Sequence, residues 1–375
     1  MTPTAKTREG LKLALAFLFS CGVFFLSLEI AARLLLGSDA VFNRIQGRDE
    51  ATCRHIWVQN HRGGANVAEF YDAHHPMRGW TPVANLKDKP AFYNKVLSTN
   101  SRGLRGKREY AYEKPAGKVR ILAVGDSFTF GEDVSDNEVY THYLEHLIPN
   151  AEVINIGVHG YGHDQMLLYL KEEGIKYKPD ILFLGFLFYD MERNLLDFRD
   201  FAKPRFRLSG GQLKLTNTPV PTPDQVLKQE FWRSKAADLW TIYYNHAAWE
   251  NGANARKMKK LGTALIDEML AVSKQMGAKM VIGYFPNETD FTNFMEMPTP
   301  REKFLFDYCG SRPELQCLSV RPIFLSQLKK GKNVGYYGHW DAKGHFLAAV
   351  AIRDFLEKQG LIPASPNRRT DTIKS

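Results

Sequence analysis

The chain has 375 residues, 44% of them hydrophobic and 24% charged, and carries a formal net charge of +9. That length allows one large domain or two smaller ones with a sizeable core, and the balance is that of an ordinary globular protein. No internal repeat is visible, low complexity is confined to a polar tail after about Pro363, and no Cys/His spacing matches a metal site.

The first element is apolar. Residues 13–28 carry no charge and are rich in Leu, Phe, Ala and Val, and they run on through Glu29, Arg33 and Leu36. Taken to Leu36, the segment is long enough to span a bilayer, which needs roughly 20 residues. Glu29 and Arg33 lie four residues apart, so they pair on one helix face near the interface. Lys6, Arg8 and Lys12 precede the span, whereas Arg44 and Arg48 follow it, a modest positive-inside bias. Residues 1–37 are therefore expected to be an uncleaved anchor, with a cytoplasmic N-terminus and the body periplasmic or extracellular. The rival reading is a cleaved signal peptide, because Ser38-Asp39-Ala40 loosely resembles a cleavage site.

Residues 38–118 form a membrane-proximal segment, with turn signals at Gly63-Gly64 and around Gly103 and Gly106. Between Lys87 and Arg120 ten Lys/Arg face three Asp/Glu, which puts +7 in one stretch. Such a strip suits anionic head groups or an anionic glycan, and solvated loop charge is the plainer alternative. No recognised nucleic-acid-binding module is present, so nucleic acid is not an expected partner.

From Val119 strand-like runs alternate with helical ones. The runs are Val119–Val124, 151–156, 180–186 and Lys279–Tyr284. Ser135 and Glu138 have the capping-box spacing and open a helix whose Val139, Tyr143, Leu144 and Leu147 share a face. Residues 258–276 and 342–356 are further amphipathic helices, and 201–220 reads as a β-hairpin insertion in a domain of 119–360, followed by the tail 361–375. Strands separated by helices imply a parallel sheet covered on both faces. Cys309 and Cys317 flank a short polar loop and are placed to close a local disulfide outside the cytoplasm; Cys53 has no obvious partner.

Gly125-Asp126-Ser127-Phe128-Thr129 follows the first strand directly, where an open α/β sheet places its chemistry. A serine nucleophile needs a base within hydrogen-bond reach and donors for the developing oxyanion. After the second strand, Asn155 leads into Gly157, Gly160 and Gly162, whose backbone N–H groups can approach a ligand. Gly338-His339-Trp340-Asp341 and His345 stand at the start of the last helix, where a loop histidine reaches back over the sheet edge.

These residues resemble the SGNH (GDSL-type) hydrolase family in its membrane-anchored bacterial branch, over roughly residues 95–358 and including the stretch Thr99 to Arg105. The resemblance implies a three-layer α/β/α sandwich with a mostly parallel five-stranded sheet. It also implies Ser127 as nucleophile, His339 as base and the Gly160 N–H as an oxyanion donor, with no cofactor and no metal. Two departures stand out. Tyr189 occupies the place of the family's Asn, with Asn194 a turn further on, and Tyr336 and Tyr337 replace the Asp that precedes the base. Asp341 suits a helix N-cap, so a Ser–His dyad or an acid recruited from elsewhere is required. His345 is expected to serve packing, and His163 lies near the site without an assigned role.

The expected function is a membrane-anchored extracytoplasmic serine esterase acting on acyl esters, acetyl foremost, of a glycan or lipid. Two alternatives stay open: an O-acyltransferase for a surface polysaccharide, and a non-catalytic glycan- or lipid-binding module.

Overall fold

The structure is a computed structural model describing residues 5–61, 71–92, 94–294, 297–332, 334–335 and 338–364. The turn expected at Gly63-Gly64, the pair Tyr336 and Tyr337, and the tail from 365 onward lie outside the described residues.

In chain order, three helices come first: α1 (Ala5–Leu36), α2 (Asp39–Ile45) and α3 (Glu50–His61). Two small antiparallel pairs follow, β1 (Asp72–His75) with β2 (Gly79–Pro82) and β3 (Lys89–Ala91) with β4 (Lys95–Leu97). The main sheet takes β5 (Val119–Val124), β6 (Ala151–Asn155) and β7 (Ile181–Phe186), with α4 (Ser127–Phe130), α5 (Tyr140–Leu147), α6 (His163–Glu172) and α7 (Asp190–Arg193) between and after them. A hairpin of β8 (Arg205–Ser209) and β9 (Gln212–Thr216) precedes α8 (Pro223–Glu230), α9 (Lys235–Glu250) and α10 (Ala253–Gln275). The chain then returns to the sheet with β10 (Lys279–Tyr284), α11 (Pro300–Gly310), β11 (Gln316–Ser319), α12 (Arg321–Leu328) and α13 (Ala342–Lys358).

The chain divides into two compact units. One comprises residues 1–65, 198–201 and 223–255; the other comprises 66–197, 202–222 and 256–375.

The larger unit is built on a five-stranded, wholly parallel sheet in the order β11-β10-β7-β5-β6. β5, β6 and β7 are buried along their length apart from the first residue of β5, which is what a parallel sheet covered on both faces demands of Val-, Ile- and Leu-rich runs. Ile121, Ala123, Val153, Phe183 and Val281 point to one face, into a core with Leu144 of α5, Phe324 of α12 and Ala348 and Ile352 of α13. The alternate residues Leu122, Leu182, Leu184 and Ile282 are equally buried on the other face, where Leu170 of α6 and Leu122 close on Gly174. The fold is thus a three-layer α/β/α sandwich.

Two local differences from the sequence reading have simple causes. The Ser135–Glu138 capping box exists, with the Ser135 N–H donating to Glu138 Oε2 at 2.8 Å, but it closes a 3-10 turn. Val139 then takes extended backbone with its side chain fully buried, so α5 starts only at Tyr140. The fifth strand, β11, is four residues of mixed polarity at the sheet edge. The Cys309–Cys317 disulfide is present and ties β11 to α11.

Most of the +7 stretch is used internally. Lys95, Arg102, Arg105, Lys107, Arg108, Lys114 and Arg120 each have an acidic partner within 4 Å. Arg120 is fully buried, bonded to Glu152 at 2.5 Å and to the carbonyls of Tyr112 and Tyr177 at 2.9 and 2.6 Å.

In the smaller unit, Leu36, Phe42, Ala51 and Ile242 form a compact apolar cluster, so the end of α1 packs with α2, α3 and α9. The Glu29 carboxylate caps α9, accepting from Ser234 Oγ and from the N–H groups of Lys235 and Ala236 at 2.9–3.0 Å. Arg33 completes its shell at 2.8 Å. Among the described residues one helix, spanning Arg8–Leu36, is apolar and long enough to cross a membrane, with a mean hydropathy of 2.2.

Candidate active site

β5 delivers Ser127. After Val124 the chain passes Gly125, and Asp126 caps the single turn α4, its Oδ1 accepting the Phe128 N–H at 3.1 Å. Ser127 therefore occupies the first position of a helix, where a backbone N–H has no intrahelical acceptor. It stands at the carboxyl end of β5, between β6 and β7, where the strand order reverses and open α/β sheets place their ligands.

The loop after β6 is laced onto this turn. The Asn155 amide donates to Thr129 O at 2.6 Å and to Thr141 Oγ1 at 3.1 Å, while its Oδ1 accepts the Gly157 N–H at 2.9 Å. Val158 N–H donates to Gly125 O at 3.1 Å. Gly157 has to be glycine, because a Cβ there would lie 2.5 Å from the Phe130 nitrogen. Gly160 follows in the same loop with φ of +70°, in the left-handed region that glycine adopts without strain.

His339 arrives from the loop before α13. Its Nε2 lies 2.8 Å from Ser127 Oγ. The neighbouring Trp340 is fully buried against Phe128 and Phe285, with ring centroids 5.0 and 4.7 Å apart, and its Nε1 donates to Pro286 O at 3.2 Å. This anchor fixes the histidine loop. Asp341 N-caps α13, accepting from the Gly344 N–H at 2.9 Å, and its carboxylate occupies the space that a Cβ on Gly335 would need. It is a structural cap.

The carboxylate that meets His339 comes from the loop that follows Ser127. Asp133 Oδ2 lies 3.2 Å from His339 Nδ1. In the tautomer with its proton on Nδ1, the ring donates to Asp133 and leaves Nε2 free to accept from the serine hydroxyl. Asp133 adopts φ of +67°, a backbone region in which Asp and Asn are among the few tolerated side chains. Its loop is held by Arg105, whose buried guanidinium donates to Gly131 O at 3.0 Å, Val134 O at 2.7 Å and Asp136 Oδ1 at 2.9 Å. The stretch from Thr99 to Arg105 thus supports the motif that follows it.

Glu132 approaches the other side of the ring, with Oε2 at 3.5 Å from His339 Nε2. Burial pushes its carboxyl above the ordinary carboxylate range, against the pull of His339. Arg193 ties the β7 loop to the turn that bears Ser127: one guanidinium nitrogen reaches Asp126 Oδ2 at 3.1 Å, Tyr161 O at 2.9 Å and Asp190 Oδ1 at 2.6 Å.

The two side chains considered in place of the family's Asn have partners of their own. Asn194 is fully buried, accepting the Asp164 N–H at 3.2 Å and meeting His163 Nδ1 at 3.3 Å. The Tyr189 hydroxyl accepts from Arg301 at 3.0 Å. His163 and His345 are both fully buried, and burial holds each down to about 3. They are neutral packing residues; His345 Nδ1 accepts the Tyr140 N–H at 3.3 Å.

Ser127 and His339 are thus brought into contact, and Gly160 is brought into the loop laced to Ser127. Reasoning from sequence did not single out Asp133, Glu132, Arg105 or Arg193 as site residues. The signal for the first two was the acid pair directly behind Gly131, at the end of the motif that carries Ser127. Among the described residues, no group of three or more His, Cys, Asp or Glu could hold a metal ion.

No family model and no curated protein matches the chain. Solved structures that it resembles include a member of the lipolytic G-D-S-L family from Veillonella parvula, 12% identical, covering 63% of this chain and 96% of that one with a TM-score of 0.36. An acetylxylan esterase from Geobacillus stearothermophilus is 14% identical over 65% of this chain and 95% of its own, with a TM-score of 0.37. A two-domain esterase active on acetylated mannans is 13% identical over 67% of this chain and 52% of its own, with a TM-score of 0.38.

Proposed function

We propose that the chain is a membrane-anchored, extracytoplasmic serine esterase that hydrolyses acyl esters, acetyl esters foremost. The observation that carries this reading is His339 standing between Ser127 Oγ at 2.8 Å and Asp133 Oδ2 at 3.2 Å. A base within reach of a hydroxyl, and itself oriented by a third group, is the arrangement that activates a serine.

Ser127 Oγ attacks the ester carbonyl carbon while its proton passes to His339 Nε2. The carbonyl oxygen becomes an oxyanion held by the N–H groups of Ser127 and Gly160. His339 returns the proton to the leaving alkoxide, the alcohol departs and an acyl-serine remains. Water, losing its proton to His339, attacks the acyl carbon, and the protonated base frees Ser127 as the carboxylic acid leaves. Asp133 holds the ring and offsets the charge on the imidazolium. This arrangement weighs against a degenerate binding module, whose serine would need no base.

Anchoring is supported by the role of α1 in its own unit. Glu29 caps α9 and Leu36 packs beside Ile242, so removal at Ser38-Asp39-Ala40 would strip a cap and a core residue from a folded body. The Cys309–Cys317 disulfide fits an oxidising compartment.

The test is hydrolysis of p-nitrophenyl acetate and longer esters by full-length protein in detergent, with Ser127→Ala and His339→Ala beside wild type. Turnover and labelling by a fluorophosphonate should vanish in Ser127→Ala. Turnover that survives it would sink the nucleophile assignment.

A further inference from the structure

The smaller unit exposes aromatic side chains that its folding does not use. Phe231 and Trp232 are 74% and 84% exposed just before α9. Trp240, Tyr243 and Tyr244 are 65%, 66% and 58% exposed along it. Positions 240, 243 and 244 share one face of a 3.6-residue helix, while Asp238 and Ile242 are buried on the other. Five large aromatics in the open are costly in water, and a patch of this kind marks an interaction surface.

What covers the patch follows from its continuity with α1. The apolar residues of α1 are exposed from Leu11 to Leu35, save Ala32 and a half-buried Cys21. Between this helix and α9 lies an apolar crevice of about 510 Å³, lined by Leu28, Ile45, Leu239, Trp240 and Ile242, with Arg44 at its rim. Glu29 fixes the register. A carboxylate at the edge of a hydrocarbon layer must have its acceptor capacity filled, and Glu29 has four partners at 2.8–3.0 Å: Arg33, Ser234, Lys235 and Ala236. This bond network starts α9 at the level where the uncharged run of α1 ends. Trp and Tyr prefer that level of a bilayer, with the ring in the acyl boundary and the polar atom among the head groups. Arg44, Arg48 and Lys228 are exposed in the same unit, and suit anionic head groups.

We propose that Phe231, Trp232 and the Trp240–Tyr243–Tyr244 face of α9 form a collar that lies in the head-group layer of the membrane crossed by α1. The partner is the lipid surface. The proposal rests on reading α1 as a bilayer span and is independent of the ester chemistry. The collar lets a single-span protein hold its emerging chain rigidly against the bilayer, where a bare helix would leave it free to swivel.

The experiment uses the full-length chain in phosphatidylcholine–phosphatidylglycerol vesicles, with tryptophan fluorescence quenched by lipids brominated either high or low on the acyl chain. Three of the six tryptophans, Trp57, Trp80 and Trp340, are at most 6% exposed and report little. Lipids brominated near the head group should quench wild type more than deeply brominated ones, and Trp232→Phe with Trp240→Phe should remove most of that difference. Both substitutions sit at exposed positions, so folding is preserved. Equal shallow quenching in wild type and the double variant would overturn the collar while α1 remains a span. Release of the chain from vesicles by alkaline carbonate would overturn the span, and the collar with it.

Discussion

His339 Nδ1 meets Asp133 Oδ2 at 3.2 Å, and the two residues are 206 apart in sequence within the larger unit. Asp133 lies six residues beyond Ser127, on the loop that leaves α4, and His339 lies just before α13. Asp133→Asn keeps the side chain's shape and its tolerance of a φ of +67°, and removes the charge. In the best-studied serine triad the equivalent change costs about 10⁴ in kcat. We expect a loss of roughly 10²–10⁴ in kcat on p-nitrophenyl acetate with an unchanged melting temperature. Retention of more than a tenth of wild-type turnover would leave the pair Ser127–His339 working as a dyad.

Asp341 gives the control. It is two residues from His339 and caps α13 through the Gly344 N–H at 2.9 Å. Asp341→Ala should lower stability by about 1 kcal/mol, as lost N-caps do, and leave kcat within a few-fold of wild type. A kcat loss as deep as that of Asp133→Asn would move the acid's role to Asp341.

Arg105 holds the Asp133 loop through three separate hydrogen bonds to Gly131, Val134 and Asp136. Lysine keeps the charge but offers one nitrogen in place of a planar fork, so it cannot satisfy those three directions together. Displacement of a positioned group by about 1 Å can cost 10²-fold in rate. Arg105→Lys should therefore lower kcat roughly 10²-fold with less effect on KM. An unchanged kcat would show that the loop holds its shape without the clamp.

The sheet was legible because its strands are short apolar runs ended by turn residues, and a strand buried on both faces needs little else. The pairing of Ser127 with His339 was legible because each sits at a strand end or a helix start, marked by glycine. β11 was not, since Gln316-Cys317-Leu318-Ser319 carries no apolar periodicity and forms only by pairing with β10. Asp133 escaped for a related reason. Its partner is 206 residues away, and only the tertiary fold closes that distance.

Two buried histidines contribute to the acid side of stability. Burial holds His163 and His345 down to about 3, against 6.5 for the free side chain. Their folded values are depressed, so the unfolded chain binds more protons between those limits. The stability they contribute is complete above pH 6.5 and is lost as pH falls toward 3. Each accounts for roughly 2–3 kcal/mol by pH 4.5. Urea midpoints measured from pH 7.5 to 4.5 should fall in wild type, and fall less steeply in His345→Gln. Parallel slopes in the two proteins would remove His345 from the account.

Glu132 presents the opposite case to Asp133. Its carboxylate faces Nε2, the nitrogen that must accept the serine proton, at 3.5 Å against 2.8 Å for Ser127 Oγ. Ionised, it favours the protonated ring and competes for the Nε2 proton, which works against the base. Burial pushes its pKa above the ordinary carboxylate range, so it stays neutral to higher pH than a free glutamate. Glu132→Gln keeps the shape and holds the group neutral throughout. Activity should stay within a few-fold of wild type, because the neutral amide keeps the packing and leaves Ser127 Oγ as the nearer partner of Nε2. A drop across the whole pH range, as deep as that of Asp133→Asn, would instead make Glu132 the working carboxylate.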